Sequence, residues 1–567
     1  MRKFKELGFN AVNICLFMFP ERFYEVADEE GIILWQEYPY WNNFSNAPRP
    51  QTTEEKAAFV QEYKEMFQRD RRHTSVLLRS FTLEDHAPDV PLLTELYHLG
   101  KQMIPGAVLQ DNSTEIWWGG IQINEITDFI DHHPYVEVDH WKSEMAGWIS
   151  IVQNKYGSKP FVFGEGLDSD TFRDIPAILE HYGQERPWWT IYEYATGSVG
   201  IPGFFGPGDF WGQEMGIERL KGEIGDEGLA KIKTNSYKHA MVHRKYELEQ
   251  MRLYNGFAGM SVTGLRDNKL TRPGIFDDLG NPKFSVEDMR RFNAQTIPLI
   301  DANRQSRCYR SGETANITCY VSHYDPVDIV NGTLSLELVS TGSTKTFPTL
   351  NISKGSVVNP GQWSLPAPVV TVPTEFELRA VLTYGDKTST NSWPVWIFPA
   401  KGTSVSENIT LYDPQGKLST LDIAGIPAAQ GVMITSVLDN TVTNYLNAGG
   451  KVVLIDAAAT ALPAHGTPFW REVAVERYSQ ALFGTFPWDG AVDLQFFDMS
   501  SRNGYNLNAS HTPMLRTINC RSLMQNDVII QKSYGAGRLI ATTLNLTGQS
   551  NVAGQCLLEN IVNYLCQ

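Results

Sequence analysis

The sequence predicts a multidomain chain. A (β/α)8 barrel of the TIM type, lacking its first strand, is followed by an immunoglobulin-like β-sandwich and then a small α/β doubly wound domain. Three observations predict this order. Short apolar runs alternate with helical patterns up to about residue 300. From about Cys308 to Pro399 the runs shorten, adopt a period of two and are separated by turns rich in Gly, Ser, Thr, Asn and Pro. Beyond the polar linker Ala400-Lys-Gly-Thr-Ser-Val-Ser, strand–helix alternation returns. The expected boundaries are 1–302, 303–400 and 401–567.

In the first region Ala11-Val-Asn-Ile-Cys-Leu-Phe reads as a strand, then Glu21 to Glu30 as a helix closed by Gly31. A strand over Ile32 to Glu37 follows, and a long helix over Thr53 to Arg72 leads into a strand at Val76–Ser80. Further strands fall at Ala107–Gln110, Asp128–His133, Phe161–Gly164 and Phe257–Thr263, which makes seven. Lys3-Phe-Lys-Glu-Leu-Gly8 reads as the end of a first helix, so the eighth strand is expected upstream of Met1. In the third region Val432-Met-Ile-Thr, a helix near Asp439–Ala448 and Lys451-Val-Val-Leu-Ile-Asp456 form a βαβ pattern. It has no GxGxxG fingerprint and no nucleophile elbow, so this flavodoxin- or glutamine-amidotransferase-like region is expected to be structural or carbohydrate-facing.

Composition narrows the function classes. At 567 residues the chain exceeds one core. A net charge of −16 with pI near 5.3 argues against nucleic acid or an anionic membrane as partner. No apolar run is long enough to span a bilayer. Among the six cysteines, Cys308 and Cys319 flank Ser311-Gly312, where a hairpin could bring the thiols within bonding reach. A disulfide there would imply export, and the alternative is two buried thiols.

Two glutamates close apolar runs: Glu84 at the end of His73 to Leu83, and Glu165 in Lys159-Pro-Phe-Val-Phe-Gly-Glu165-Gly. A pair of carboxylates at strand C-termini of an αβ-repeating domain is what glycosidic bond cleavage requires. The flanking motifs extend this. Leu7-Gly-Phe-Asn-Ala-Val-Asn13, the stretch Phe23 to Glu37, Arg71-Arg-His-Thr-Ser-Val-Leu-Leu-Arg-Ser80 and Gly280-Asn-Pro-Lys283 together resemble the catalytic barrel of glycoside hydrolase family 2 over about residues 3–300. The resemblance implies an exo-acting retaining β-glycosidase, exported to the extracellular space or periplasm. It implies no cofactor and no metal, with a glycoside or oligosaccharide as partner and β-galactoside as first substrate before β-glucuronide or β-mannoside.

Carried over residue by residue, the resemblance makes Glu84 the acid/base and Glu165 the nucleophile. It places His133 and Tyr135, from Asp131-His-His-Pro-Tyr135, against the nucleophile and the sugar. The adjacent histidines also raise a metal site, which diverging neighbours on a strand disfavour. His73 is expected to be structural. Glu37, Trp41 and Trp118 are substrate candidates, with Trp35, Trp117, Trp188, Trp189 and Trp211 in the same set of loops as possible sugar platforms. Arg266 and Asp267 follow the last strand and are candidate substrate contacts. Asn124-Glu125 precedes a strand and is set aside, as is Asp85, whose side chain points opposite to that of Glu84. The chain departs from the family at Leu83, where an asparagine that binds the sugar 2-hydroxyl is usual. This suggests an unusual substrate, a replacement donor or weakened activity, with a catalytically impaired carbohydrate-binding relative or a gene fragment as the alternative reading.

Overall fold

A computed structural model describes the chain apart from residues 42–48, 117–121, 186, 188–189, 191–212, 255, 269–270, 472, 478, 508–509 and 522. Among the described residues, the first region contains seven parallel strands. They are β1 (Ala11–Ile14), β2 (Ile33–Glu37), β3 (Val76–Leu83), β4 (Val108–Ser113), β5 (Ile130–His132), β6 (Phe161–Phe163) and β7 (Phe257–Met260). They pair as two arcs, β1-β2-β3-β4 and β5-β6-β7. The Asp128 N–H, donating to Leu109 O at 2.8 Å, ties the approach to β5 onto β4. Asn13 of β1 donates through Nδ2 to Gly164 O at 3.2 Å, linking β1 to the residue after β6.

The helices around them are α1 (Arg2–Glu6), α2 (Glu21–Glu30), α3 (Thr53–Asp70), α4 (Val90–Met103), α5 (Val138–Tyr156), α6 (Ile175–Tyr182), α7 (Gln213–Arg252) and α8 (Val286–Asn293). Local chemistry sets their ends. Gly31 closes α2 in the left-handed conformation, φ 64° and ψ 43°, where a glycine carries no steric cost. Thr52 and Glu55 form a reciprocal capping box at the start of α3. Gly225, at φ 72° and ψ 179°, breaks the run of α7.

The second region is two facing sheets. One joins Thr296–Ala302, Thr314–His323 and Ser356–Pro366. The other is built on Ile329–Leu338, Thr374–Tyr384 and Lys387–Phe398, with Cys308–Arg310 at its edge. The registers Leu334↔Leu382, Leu336↔Ala380 and Leu338↔Leu378 put alternate residues of both strands into one core, as a period of two demands. Two expectations change here. Thr296–Ala302, expected in the first region, pairs with Thr314–His323, so the sandwich begins before residue 303. Cys308 and Cys319 are separate buried thiols. Their strands lie in opposite sheets, Cys308 beside Trp396 and Cys319 beside Ile300, so no hairpin joins them.

The third region departs from a doubly wound sheet. Ile409–Tyr412, Val432–Thr435, Lys451–Ile455 and Gly537–Thr542 are parallel, but Gln525–Tyr534 and Thr512–Asn519 extend the sheet antiparallel. The connections dictate this. Gln525–Tyr534 returns into Gly537–Thr542 through a turn at Gly535, φ 54°, far too short for a parallel crossover. One apolar core runs through the first and third regions, from Phe4, Trp141 and Trp148 to Trp470, Phe496 and Leu565. No helix among the described residues is long and apolar enough to cross a membrane.

Candidate functional site

The ends of β3, β5 and β6 bring together most of the chemistry. Glu84 follows β3 with φ 47°, a left-handed conformation uncommon for a residue with a side chain, and its N–H donates to Ser113 O at 2.7 Å. The backbone therefore leaves the strand direction at the residue carrying the carboxylate. Asn112 braces the turn, accepting from Asp85 N at 3.0 Å and donating to Asp85 O at 2.9 Å. Glu165 follows β6 between two glycines that the packing requires. A Cβ on Gly164 would lie 2.4 Å from Asp131 Oδ2, and one on Gly166 (φ 132°) would lie 2.7 Å from Pro134 O.

His133 stands between the glutamates, its side chain fully buried. Its Nδ1 meets Glu84 Oε1 at 3.0 Å and Glu165 Oε2 at 3.8 Å, while Nε2 meets Asp131 Oδ2 at 3.0 Å. Asp131 is itself fixed by the Ser113 hydroxyl at 2.6 Å and by the Gly164 and His132 N–H groups. Burial alone would lower the pKa of His133, but Glu165, Asp131 and the two hydrogen-bonded carboxylates override it and hold the ring well above its usual range. The imidazolium then donates from both nitrogens. One oxygen of each glutamate and a His133 nitrogen lie within 4.8 Å of one another, close enough to share an ion. Carboxylates on either side of an imidazole at this spacing can pass protons or hold a cation.

The other carboxyls respond to this crowding. Glu165 is raised, by burial first and then by Glu84, against the lowering influence of His133 and the Tyr135 hydroxyl. Tyr135 donates its O–H to Glu165 Oε2. Glu37, at the end of β2, is fully buried and pushed up to about 8, by burial first and then by the charge of Glu165. Asn13 Nδ2 donates to Glu37 Oε1 at 3.2 Å. Trp41 is half-exposed and donates from Nε1 to Glu84 Oε2 at 3.1 Å.

Of the residues singled out in the sequence, Glu84, Glu165, His133, Tyr135, Glu37 and Trp41 thus meet in one place. Arg266 and Asp267 do not join them. Asp267 is buried against Lys283 Nζ at 2.7 Å and accepts from Gly274 N at 2.9 Å. Arg266 donates to Asp278 O and borders a cleft with Met1, Phe4 and Arg22. Trp35 is a core residue, its Nε1 bound to the Ser80 hydroxyl at 2.7 Å. Trp117, Trp118, Trp188, Trp189 and Trp211 lie outside the described residues. His73 is structural, held between Asp28 at 2.8 Å and Glu21 at 3.1 Å.

Sequence reasoning missed Ser113, Asn112, Asn13 and Glu115, whose pKa is raised by burial first and then by Glu84. A signal for the first two was present. Gln110 to Thr114 is a polar run, buried throughout, at the end of an otherwise apolar strand. Buried polar groups in such a place need partners and mark where side chains converge.

Comparison with known proteins adds the following. A sequence family described as a domain of unknown function (DUF8488) matches residues 313–399, within the sandwich. No curated protein matches the chain. Among solved structures, the chain is similar to Bacteroides uniformis β-glucuronidase 2 covalently bound to cyclophellitol-6-carboxylate aziridine. That likeness has 12% identity and a TM-score of 0.35, covering 74% of this chain and 44% of the other. An uncultured Clostridium sp. β-glucuronidase gives 15% identity and a TM-score of 0.36, covering 51% and 45%. The FMN-binding β-glucuronidase from Facaelibacterium prausnitzii L2-6 gives 12% identity and a TM-score of 0.36, covering 70% and 52%. The chain spans about half the length of these proteins.

Proposed function

We propose that the chain is an exo-acting retaining β-glycosidase of the family 2 type, with its site at the ends of the parallel strands of the first region. The observation that carries this is the placement of two carboxylates at the ends of β3 and β6, with oxygens within 4.8 Å of each other. Retaining glycosidases hold their two carboxyl groups roughly 5–5.5 Å apart, whereas inverting ones leave room for a water between them.

In this scheme Glu84, protonated, delivers its proton to the glycosidic oxygen as the bond to the anomeric carbon breaks. Glu165 attacks that carbon and forms a glycosyl ester. Water then attacks the same carbon, Glu84 takes its proton, and Glu165 leaves as carboxylate. His133 stands between the pair, with Nδ1 3.0 Å from Glu84 Oε1 and 3.8 Å from Glu165 Oε2, and braces both carboxyls. The Tyr135 O–H holds one oxygen of Glu165 and leaves the other free for attack. Trp41 supplies an exposed ring beside Glu84. A terminal β-galactoside is the first substrate, with β-glucuronide and β-mannoside next.

The test is hydrolysis of a panel of nitrophenyl β-glycosides with the product anomer followed by NMR. Retention is expected, with about a 10³-fold or larger loss of kcat in Glu84→Ala and Glu165→Ala. Azide should restore turnover to Glu165→Ala through an inverted glycosyl azide. Leu83 favours a second reading, a sugar-binding relative without turnover. It is buried before Glu84, its N–H is spent on Tyr40 O at 2.9 Å, and its side chain offers no donor for a 2-hydroxyl. Sugar binding without hydrolysis anywhere in the panel would establish that reading.

A further inference from the structure

The segment 469–471 belongs to the third region, yet it is inserted between the two loops that carry Tyr135 and Glu165. On one side the Phe469 and Trp470 N–H groups both donate to Glu137 Oε2, two residues beyond Tyr135. On the other side Asp170 N donates to Arg471 O at 2.7 Å, five residues beyond Glu165. From this wedge the Arg471 side chain extends into the gap. Its guanidinium grips Asp168 with Nε to Oδ1 at 3.0 Å and Nη2 to Oδ2 at 2.9 Å. The same group lies over the Tyr135 ring, its carbon 5.2 Å from the ring centroid. Two hydrogen bonds to one carboxylate fix the plane of a guanidinium, which a lysine could not do, and a fixed cation over a ring fixes the ring.

We propose that Arg471 is a positioning residue for the reaction centre. Through its contact with the Tyr135 ring it aims the phenolic O–H at Glu165, so the third region completes the site instead of merely packing beside it. This rests on the glycosidase reading for its effect on rate, though the geometric chain Asp168–Arg471–Tyr135–Glu165 exists whatever the reaction. Arg521 provides the internal control. It also reaches across from the third region to Asp168, Nη2 to Oδ2 at 3.1 Å, and its Nε pairs with Asp170 Oδ2, on the loop after Glu165. A residue that only holds the regions together should behave as Arg521 does.

The experiment compares Arg471→Met, Arg471→Lys, Arg521→Met and Tyr135→Phe, with the double variant Arg471→Met/Tyr135→Phe, in the full chain. Folding is checked by thermal melting. If Arg471 acts through Tyr135, Arg471→Met and Tyr135→Phe each lower kcat by about 10- to 100-fold with little change in KM, and the double variant is no worse than Tyr135→Phe. Arg471→Lys should not rescue, and Arg521→Met should keep near-normal kcat at a similarly lowered melting temperature. Additive losses in the double variant, or equal losses in Arg521→Met, overturn the proposal.

Direct titration of the Glu165 carboxyl by carbon-13 NMR separates this from the parent reading. Loss of the aimed O–H raises the Glu165 pKa in Arg471→Met and in Tyr135→Phe by about half a unit or more, and no further in the double variant. Wild-type protein that hydrolyses nothing sinks the glycosidase reading while leaving this titration to decide the role of Arg471. A Glu165 titration unmoved by Arg471→Met sinks the positioning role even in an active enzyme.

Discussion

The sandwich and the first region answer the problem of burying a core in opposite ways. The sandwich core, from Ile300 through Leu336 and Leu378 to Ile397, is composed of its own strands. The first region shares its core with the third, so that Trp141 and Trp148 of α5 belong to the same apolar cluster as Trp470 and Phe496. A second cluster repeats the arrangement, joining Ile175 and Ile178 of α6 and Ile232 of α7 to Ile518 and Leu523. Ion pairs bridge the same boundary, Arg471 and Arg521 to Asp168 and Lys238 to Asp489. The third region thus supplies apolar packing for the helices of the first. The proposed site residues sit in the region whose core is shared.

The largest test of this contrast is deletion of residues 401–567. The remaining chain is expected to lose cooperative folding of residues 1–295 while the sandwich keeps a separate transition, read by calorimetry and circular dichroism. A cooperative first region in the truncated chain would break the comparison. Next in size is a matched pair of core substitutions. Trp470→Ala should cost about 3–5 kcal/mol and abolish activity along with the first transition. Leu336→Ala should cost about 2–5 kcal/mol, lower the sandwich transition and leave kcat unchanged.

A smaller effect concerns pH. Glu37 titrates at about 8 in the folded chain and near 4.3 when unfolded. The fold therefore holds this proton more tightly than the unfolded chain does. That contribution is complete below the unfolded value and is lost as pH rises toward about 8. Glu37→Gln should flatten the decline of melting temperature across that window, and an unchanged slope would remove Glu37 as its source. The smallest effect is expected from reductant. With Cys308 and Cys319 unbonded, dithiothreitol should shift the sandwich transition by less than about 1 °C, where loss of a disulfide would cost about 2–5 kcal/mol.

The legible parts of this chain are those where local pattern and tertiary need agree. All seven strands of the first region were anticipated to within a few residues, because parallel strands buried on both faces leave continuous apolar runs. Glu84 and Glu165 stood out because each ends such a run, and His133 and Tyr135 because residues of one parity share a face. What was not legible depends on contacts between distant segments. Arg471 lies 336 positions beyond Tyr135, and nothing near it in sequence marks it as different from any other arginine. The choice between a Cys308–Cys319 disulfide and two buried thiols was open for the same reason, since closeness in sequence across Ser311-Gly312 says nothing about which sheet each strand joins. Arg266 and Asp267 looked like site residues because they follow a strand, but Lys283 and Gly274 had already claimed Asp267.

The unbroken core between the first and third regions also sets a rule for recombination. A crossover placed in the polar stretch near residue 400 looks harmless, since it cuts no strand or helix. It would nevertheless separate Trp141 from Trp470 and Asp168 from Arg471, so chimeras made there inherit mismatched halves of one interior. The sandwich is tied into the same interior, since Cys308, Trp396 and Phe398 join that cluster and Trp393 Nε1 donates to Glu249 Oε2 at 2.7 Å. A chimera therefore keeps its parent's contacts only where all three regions are retained together.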